Sequence, residues 1–310
     1  MSFRNSFKLV SANFFEFWKV LLFKVIVFAV GIGLLAIFSF PIAECFSSFF
    51  DQVLSFVTSF AILPNVAYLF KSAFLLMGVF FDSVVAMAAL HTTAFIFVLG
   101  VVCIVIPFLN NLLIPALGEN IYGYMSSLSR FSLTGSLIKK LGKNSAFAIV
   151  KTFVDLVING LIIVGVYFIV SIASKGGAIM FTVPILLFLF LVISISLKSM
   201  LIIGWMPSLV AENKNAFIAF GHGIKTTFKN FFKNLSNILV LNFISLLVIM
   251  FVGFYGIPIL CPFFTFVLVV FQMVMFFTAH GMRYYIDLDT IITPAKLEKQ
   301  DGFKKTKNIL

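Results

Sequence analysis

The chain has 310 residues, of which 62% are hydrophobic and only 11% charged, with a mean hydropathy of +1.16. Soluble domains carry roughly 25% charged residues, so a wholly water-facing surface is excluded and lipid is the expected solvent. The net charge of +11 is of the size found in nucleic-acid binders, but its placement along the chain accounts for it without a nucleic acid.

From the N-terminus, Phe3–Trp18 carries Phe3, Phe7, Val10, Phe14 and Phe17 at helical spacing, with Arg4, Lys8 and Lys19 supplying charge. This predicts a basic amphipathic helix at a membrane surface. Six later stretches match the roughly 20 apolar residues a helix needs to cross a bilayer core. They are Val20–Phe40, Thr93–Ile114, Thr152–Ile172, Met180–Leu201, Ile238–Tyr255 and Ile259–His280. Gly176-Gly177 and Gly256-Ile257-Pro258 make short turns, which define helical hairpins over 152–201 and 238–280. No cleaved signal peptide is expected, because the first apolar run follows a charged lead and exceeds the 7–15 residues or so of such a segment.

The expected fold is all-α: a polytopic bundle of about six transmembrane helices in three hairpins, with interfacial amphipathic helices. Residues 1–282 form one membrane domain and 283–310 a basic cytoplasmic tail. An insertion over 44–91 faces outward. Within it, Phe46, Phe49, Phe50, Val53 and Phe56 oppose Ser48, Asp51, Gln52 and Ser55. That pattern suits a helix lying at the interface, followed by a second over 66–90. Both segments crossing, for eight spans, is the competing arrangement.

With the N-terminus inside and six crossings, 20 of the 22 Lys and Arg residues fall on the cytoplasmic side or its membrane interface, leaving Lys71 and Lys175 outside. Such an asymmetry sets orientation by the positive-inside rule, with both termini cytoplasmic. Few arginines and 43 phenylalanines suit an AT-rich bacterial genome, so the bacterial cytoplasmic (inner) membrane is the expected location. Membrane lipids, with anionic headgroups on the cytoplasmic face, are the expected partners.

Basic amphipathic segments recur before the other hairpins, at Ser136–Lys151 and at Phe217–Leu235. In the last, Lys225, Lys229 and Lys233 are four apart and form one stripe, the candidate contact to anionic lipid. Exits from spans two and four also echo each other, Ile114-Pro115-Ala116-Leu117-Gly118-Glu119-Asn120 against Met206-Pro207-Ser208-Leu209-Val210-Ala211-Glu212-Asn213. Proline is expected to end each helix there and Glu-Asn to cap the next.

The run Trp205–Asn213, with Ala219-Phe220, Lys225 and Lys229-Asn230-Phe231, resembles a pattern in a broad group of bacterial six-helix membrane proteins. That group includes the membrane domain fused to some glycerophosphodiester phosphodiesterases. The resemblance implies a fold and not an activity, since the 28 residues after Met282 are too few for a barrel enzyme.

Polar residues at membrane depth are the place to look for chemistry. Lys151, Asp155 and Asn159 recur every four residues on one face of span three, a candidate ion or proton site or a structural pair with a neighbouring bond. Lys24 is one turn into span one and is expected to snorkel to the inner headgroups. Asn242, Gln272 and His280 are candidates to join Asp155 in one polar cluster. His91, His222 and His280 and the three cysteines lack metal-ligand spacing, and nucleophile and nucleotide motifs are absent. No catalytic residue, cofactor or metal is therefore expected. The reading is a non-enzymatic envelope or lipid-associated scaffold, with a small-solute or ion transporter or channel as the alternative.

Overall fold

The computed structural model describes residues 2–62, 66–173, 179–229, 231–252 and 256–294. The chain is an all-α polytopic helical bundle, and its only strands among the described residues are two of two residues each. Five helical stretches are long and apolar enough to cross a membrane: Phe15–Phe56, Thr92–Ser127, Leu141–Ile172, Thr182–Ala211 and Ile257–His280. A shorter apolar stretch, Asn234–Ile249, overlaps the expected fifth crossing, whose residues 253–255 lie outside the described residues. Exposed Leu22, Phe28, Phe153, Leu161 and Ile185 make these helices costly in water and well matched to lipid.

Two compact units make up the chain. The first comprises residues 1–27, 108–153 and 192–310. Its helices are α1 (Ser2–Ala12), the start of α2 (Phe15–Leu35), most of α6 (Ile106–Ser127), α7 (Leu133–Lys139) and the start of α8 (Leu141–Ala173). After them come the end of α9 (Ile179–Leu201), α10 (Trp205–Ala211), α11 (Ala216–Lys229), α12 (Phe231–Val252) and α13 (Ile257–His280). The core of this unit is α13, whose Phe266, Val267 and Val269–Phe277 are all buried. α1 does not simply rest on lipid as its amphipathic pattern predicts. Phe3 and Phe7 pack edge-on against Phe271, with ring centroids 5.3 and 5.5 Å away, and Leu9 is wholly buried. Its greasy face therefore covers α13, where packing is as favourable as lipid and fixed in place.

The second unit comprises 28–107 and 154–191. In it α2 passes through one 3₁₀ turn at Ala36–Phe38 into α3 (Ser39–Ile62), which packs against α4 (Val66–Leu90). Phe46 and Phe49 meet Phe80, with centroids 6.0 and 5.3 Å away, and His91 Nε2 lies 3.0 Å from Glu44 Oε2. Residues 46–60 are helical as expected, but their apolar side chains serve a helical hairpin. The run from Phe15 to Phe56 is 42 residues, or about 63 Å of helix, twice the roughly 30 Å hydrocarbon core. α4 is followed by α5 (Thr92–Gly100) and a π-turn at Val101–Val105.

Some local expectations are corrected. Pro115 does not end its helix: α6 runs through it, and Glu119 and Asn120 are buried inside α6 in place of capping the next helix. Pro115 costs the helix one backbone donor, and the buried Leu113, Ala116 and Leu117 around it hold α6 together; further on, Lys140 lies 2.7 Å from Glu119 and Asn120 donates to Glu16 at 3.0 Å. Pro207 falls in the first turn of α10, where its missing N–H has no intrahelical partner to lose. The basic segment 136–151 is not one helix, since α7 ends at Lys139 and Leu141 opens α8. Finally, the start of the expected tail is folded. Tyr284–Tyr285 (β1) pairs antiparallel with Ile291–Ile292 (β2), and buried Tyr284 accepts a 2.9 Å bond from Asn5. Tyr124 also donates to the Ile286 carbonyl at 3.1 Å.

Candidate functional site

Two polar constellations stand out, both within the first unit. The first lies among the apolar helices. Lys24 lies nine residues into α2, about 13 Å along its axis, and its ammonium donates to the Thr265 hydroxyl of α13 at 2.7 Å. The lysine thus has a hydroxyl acceptor on a neighbouring helix. Thr265 Oγ1 in turn donates to the Cys261 carbonyl at 2.7 Å, which orients its lone pairs toward the lysine. A cleft of about 410 Å³ opens here, lined by Lys24, Asn110, Asn111, Asn242, Ser245 and Thr265 among apolar neighbours that include Ile114 and Leu268. Asn111 donates to Thr152 at 3.0 Å and Asn242 to Ser196 at 3.1 Å. These bonds hold the amides by neighbouring helices, and no carboxylate lines the cleft among the described residues.

The second constellation is built by α10 and α11. These two helices cross backbone to backbone. A Cβ on Gly204 would stand 2.8 Å from the Gly223 carbonyl oxygen, and one on Gly223 would stand 2.6 Å from the Trp205 nitrogen. The buried Trp205 indole donates to the Ala216 carbonyl at 2.8 Å and packs on Phe147 and Phe220. Asn213, at φ 53°, turns the chain between the helices, a conformation asparagine tolerates better than most residues. The clamp brings Ser208 and Glu212, four apart on α10 and its cap, against His222 of α11. Glu212 Oε2 lies 2.9 Å from His222 Nδ1 and 2.8 Å from Lys214, and accepts from Ser208 at 2.5 Å.

Burial pushes the Glu212 carboxyl up, but the bonds from Lys214 and Ser208 and the nearby His222 outweigh it and hold it below the ordinary carboxylate value. His280, in the last turn of α13, brings its ring to 5.8 Å from that of His222. Ser208, His222 and Glu212 do not make a nucleophile relay. Ser208 and Glu212 both face the same nitrogen, Nδ1, whereas a relay needs the two ring nitrogens to face different partners.

Lys151 is buried and lines a small pocket with Trp205, Thr265 and Gln272. Asp155 is buried too, but Asn159 is exposed, so the three do not share one enclosed surface. Asn242 lines the cleft and Gln272 the adjoining Lys151 pocket, which shares Ile114, Thr265 and Leu268 with it, whereas His280 goes to the Glu212–His222 pair. Lys225 is exposed on α11, while the side chains of Lys229 and Lys233 lie outside the described residues. Sequence spacing missed the grouping of Glu212, His222 and His280, because 58 positions separate the two histidines and only the packing of α11 on α13 joins them. No protein family, curated protein or solved structure matches this chain.

Proposed function

We propose that the protein is a non-enzymatic, lipid-associated scaffold of the bacterial cytoplasmic membrane that holds an anionic lipid headgroup at Lys24. The observation that carries this reading is a lysine in an apolar helix whose cleft, among the described residues, contains amides and hydroxyls but no carboxylate. An intramembrane ion needs a partner, and Thr265 supplies a neutral acceptor only. A phosphate monoanion completes the pair, while Asn110, Asn242 and Ser245 offer it polar contacts and the apolar wall receives acyl chain. The positive-inside distribution of Lys and Arg supports cytoplasmic termini and a leaflet rich in such lipids.

Passage of a small anion through the same cleft is the competing reading, favoured by a lining drawn from five helices, α2, α6, α9, α12 and α13. The two are separated by thermal unfolding of the purified protein with added lipid, since a ligand of the folded state raises its midpoint. Phosphatidylglycerol is expected to stabilise the wild type more than phosphatidylcholine does, and Lys24→Met to erase the difference. Equal stabilisation by both lipids, combined with Lys24-dependent chloride or phosphate flux in proteoliposomes, overturns the scaffold in favour of the transporter.

A further inference from the structure

We propose that Glu212, His222 and His280 form a binding site for a borderline divalent transition ion, Zn²⁺ or a close analogue such as Co²⁺. One ligand atom from each residue lies within 4.8 Å of the other two. Ligands at the roughly 2.0–2.1 Å of zinc–nitrogen and zinc–oxygen bonds stand about 3.4 Å apart in a tetrahedron. A separation within 4.8 Å needs to close by at most about 1.4 Å to meet the tetrahedral edge, a shift within the reach of side-chain rotation on half-exposed residues.

The surroundings are arranged as outer partners of a metal site are. His280 Nδ1 lies 3.0 Å from the Phe276 carbonyl oxygen. A carbonyl only accepts, so Nδ1 carries the proton and Nε2 of the neutral ring keeps its lone pair. The described bonds of Glu212 all fall on Oε2, which leaves Oε1 as a ligand atom while Ser208 and Lys214 hold the carboxylate as an anion. Lys214 repels a cation, yet its contact is with the oxygen that the ion does not need.

His280 argues most strongly for an ion in place of a salt-bridge network alone. Glu212 is satisfied by Lys214, Ser208 and His222, and His280 adds nothing to that set. Two imidazoles 5.8 Å apart and inclined by 30° gain little from each other until something shared lies between them. Two nitrogens and one carboxylate oxygen select a borderline transition ion over Mg²⁺ or Ca²⁺, which take mostly oxygen. Water fills the fourth position. The ion ties α11 to the end of α13, a link that does not depend on the Lys24 cleft.

The test uses the full chain in detergent with any polyhistidine tag removed, titrated with Co²⁺ by visible absorption and with Zn²⁺ by calorimetry. One equivalent is expected to bind, with affinity reduced at least tenfold by Glu212→Gln, His222→Ala or His280→Ala and unchanged by His91→Ala. A second measurement needs no variant: Zn²⁺ should protect His222 and His280 of the wild type from diethyl pyrocarbonate and leave His91 reactive. Absence of saturable binding in the folded wild type overturns the proposal. So does binding that the three substitutions leave intact, or equal modification of His222 and His280 with and without Zn²⁺.

Discussion

The Lys24 ammonium donates to the Thr265 hydroxyl across 2.7 Å, joining two helices whose residues stand 241 positions apart. The bond lies within an apolar bundle, where interhelical hydrogen bonds average about 0.6 kcal/mol. Thr265→Val should therefore lower stability by about that amount and keep the fold, because the backbone of α13 is untouched. Thermal unfolding monitored by circular dichroism checks this. A collapse of the bundle would show that the pair is structural before it is a site.

The α10–α11 crossing makes a sharper structural prediction. Gly223→Ala sets a methyl 2.6 Å from the backbone nitrogen of Trp205, and backbone cannot move aside as a side-chain tip can. A cost of about 1–3 kcal/mol, the usual range for overpacking, is expected as a lowered unfolding midpoint. Gly221→Ala on the same helix meets nothing within 4 Å and should be neutral or stabilising, by up to about 1 kcal/mol of helix propensity. Equal effects at the two positions would refute the close crossing.

The β1–β2 turn has a pH dependence with a definite sign. Asp287 is held below the ordinary carboxylate value, first by the Thr290 hydroxyl and also by the backbone amides of Thr290 and Asp289. A carboxyl with a lowered folded value stabilises the folded turn fully above its unfolded value, about 3.9. That contribution is lost as pH falls through the folded value. Exchange of the Ile286 amide, which donates to the Thr290 carbonyl at 2.9 Å, should thus gain protection from Asp287 at neutral pH and lose it in strong acid. Asp287→Asn should remove the pH-dependent part. An identical profile in both proteins would contradict the assignment.

Residues 46–90 decide the number of crossings. The six-span arrangement puts residues 46–90 at the outer face. On a cysteine-free background, Ser55→Cys and Leu75→Cys, both at exposed positions, should react with an impermeant thiol reagent in intact cells. Labelling of position 75 only after lysis would move that helix through the membrane and give eight.

The helices were legible in the sequence because the bilayer demands long apolar runs, and expected crossings such as Ile259–His280 agree with the observed α13 to within two residues. Local punctuation read less well. Pro115 looks like a helix end by backbone chemistry, yet burial of Leu113, Ala116 and Leu117 around it holds α6 together. The segment Trp205–Asn213 builds the α10–α11 turn, and Gly204 just before it supplies the close crossing. Periodicity along a single helix finds Lys151 and Asp155 but is blind to residues joined by packing. Lys24 with Thr265, and His222 with His280, meet only after α13 has taken its place in the core.

The Lys24 cleft is central to the proposed function, and native mass spectrometry of the protein released from mixed phosphatidylglycerol and phosphatidylcholine bilayers tests it most directly. Wild type should retain phosphatidylglycerol preferentially, Lys24→Arg should keep most of that retention, and Lys24→Met should lose it while staying folded. Retention of phosphatidylglycerol by Lys24→Met at the wild-type level would contradict a lipid site at Lys24.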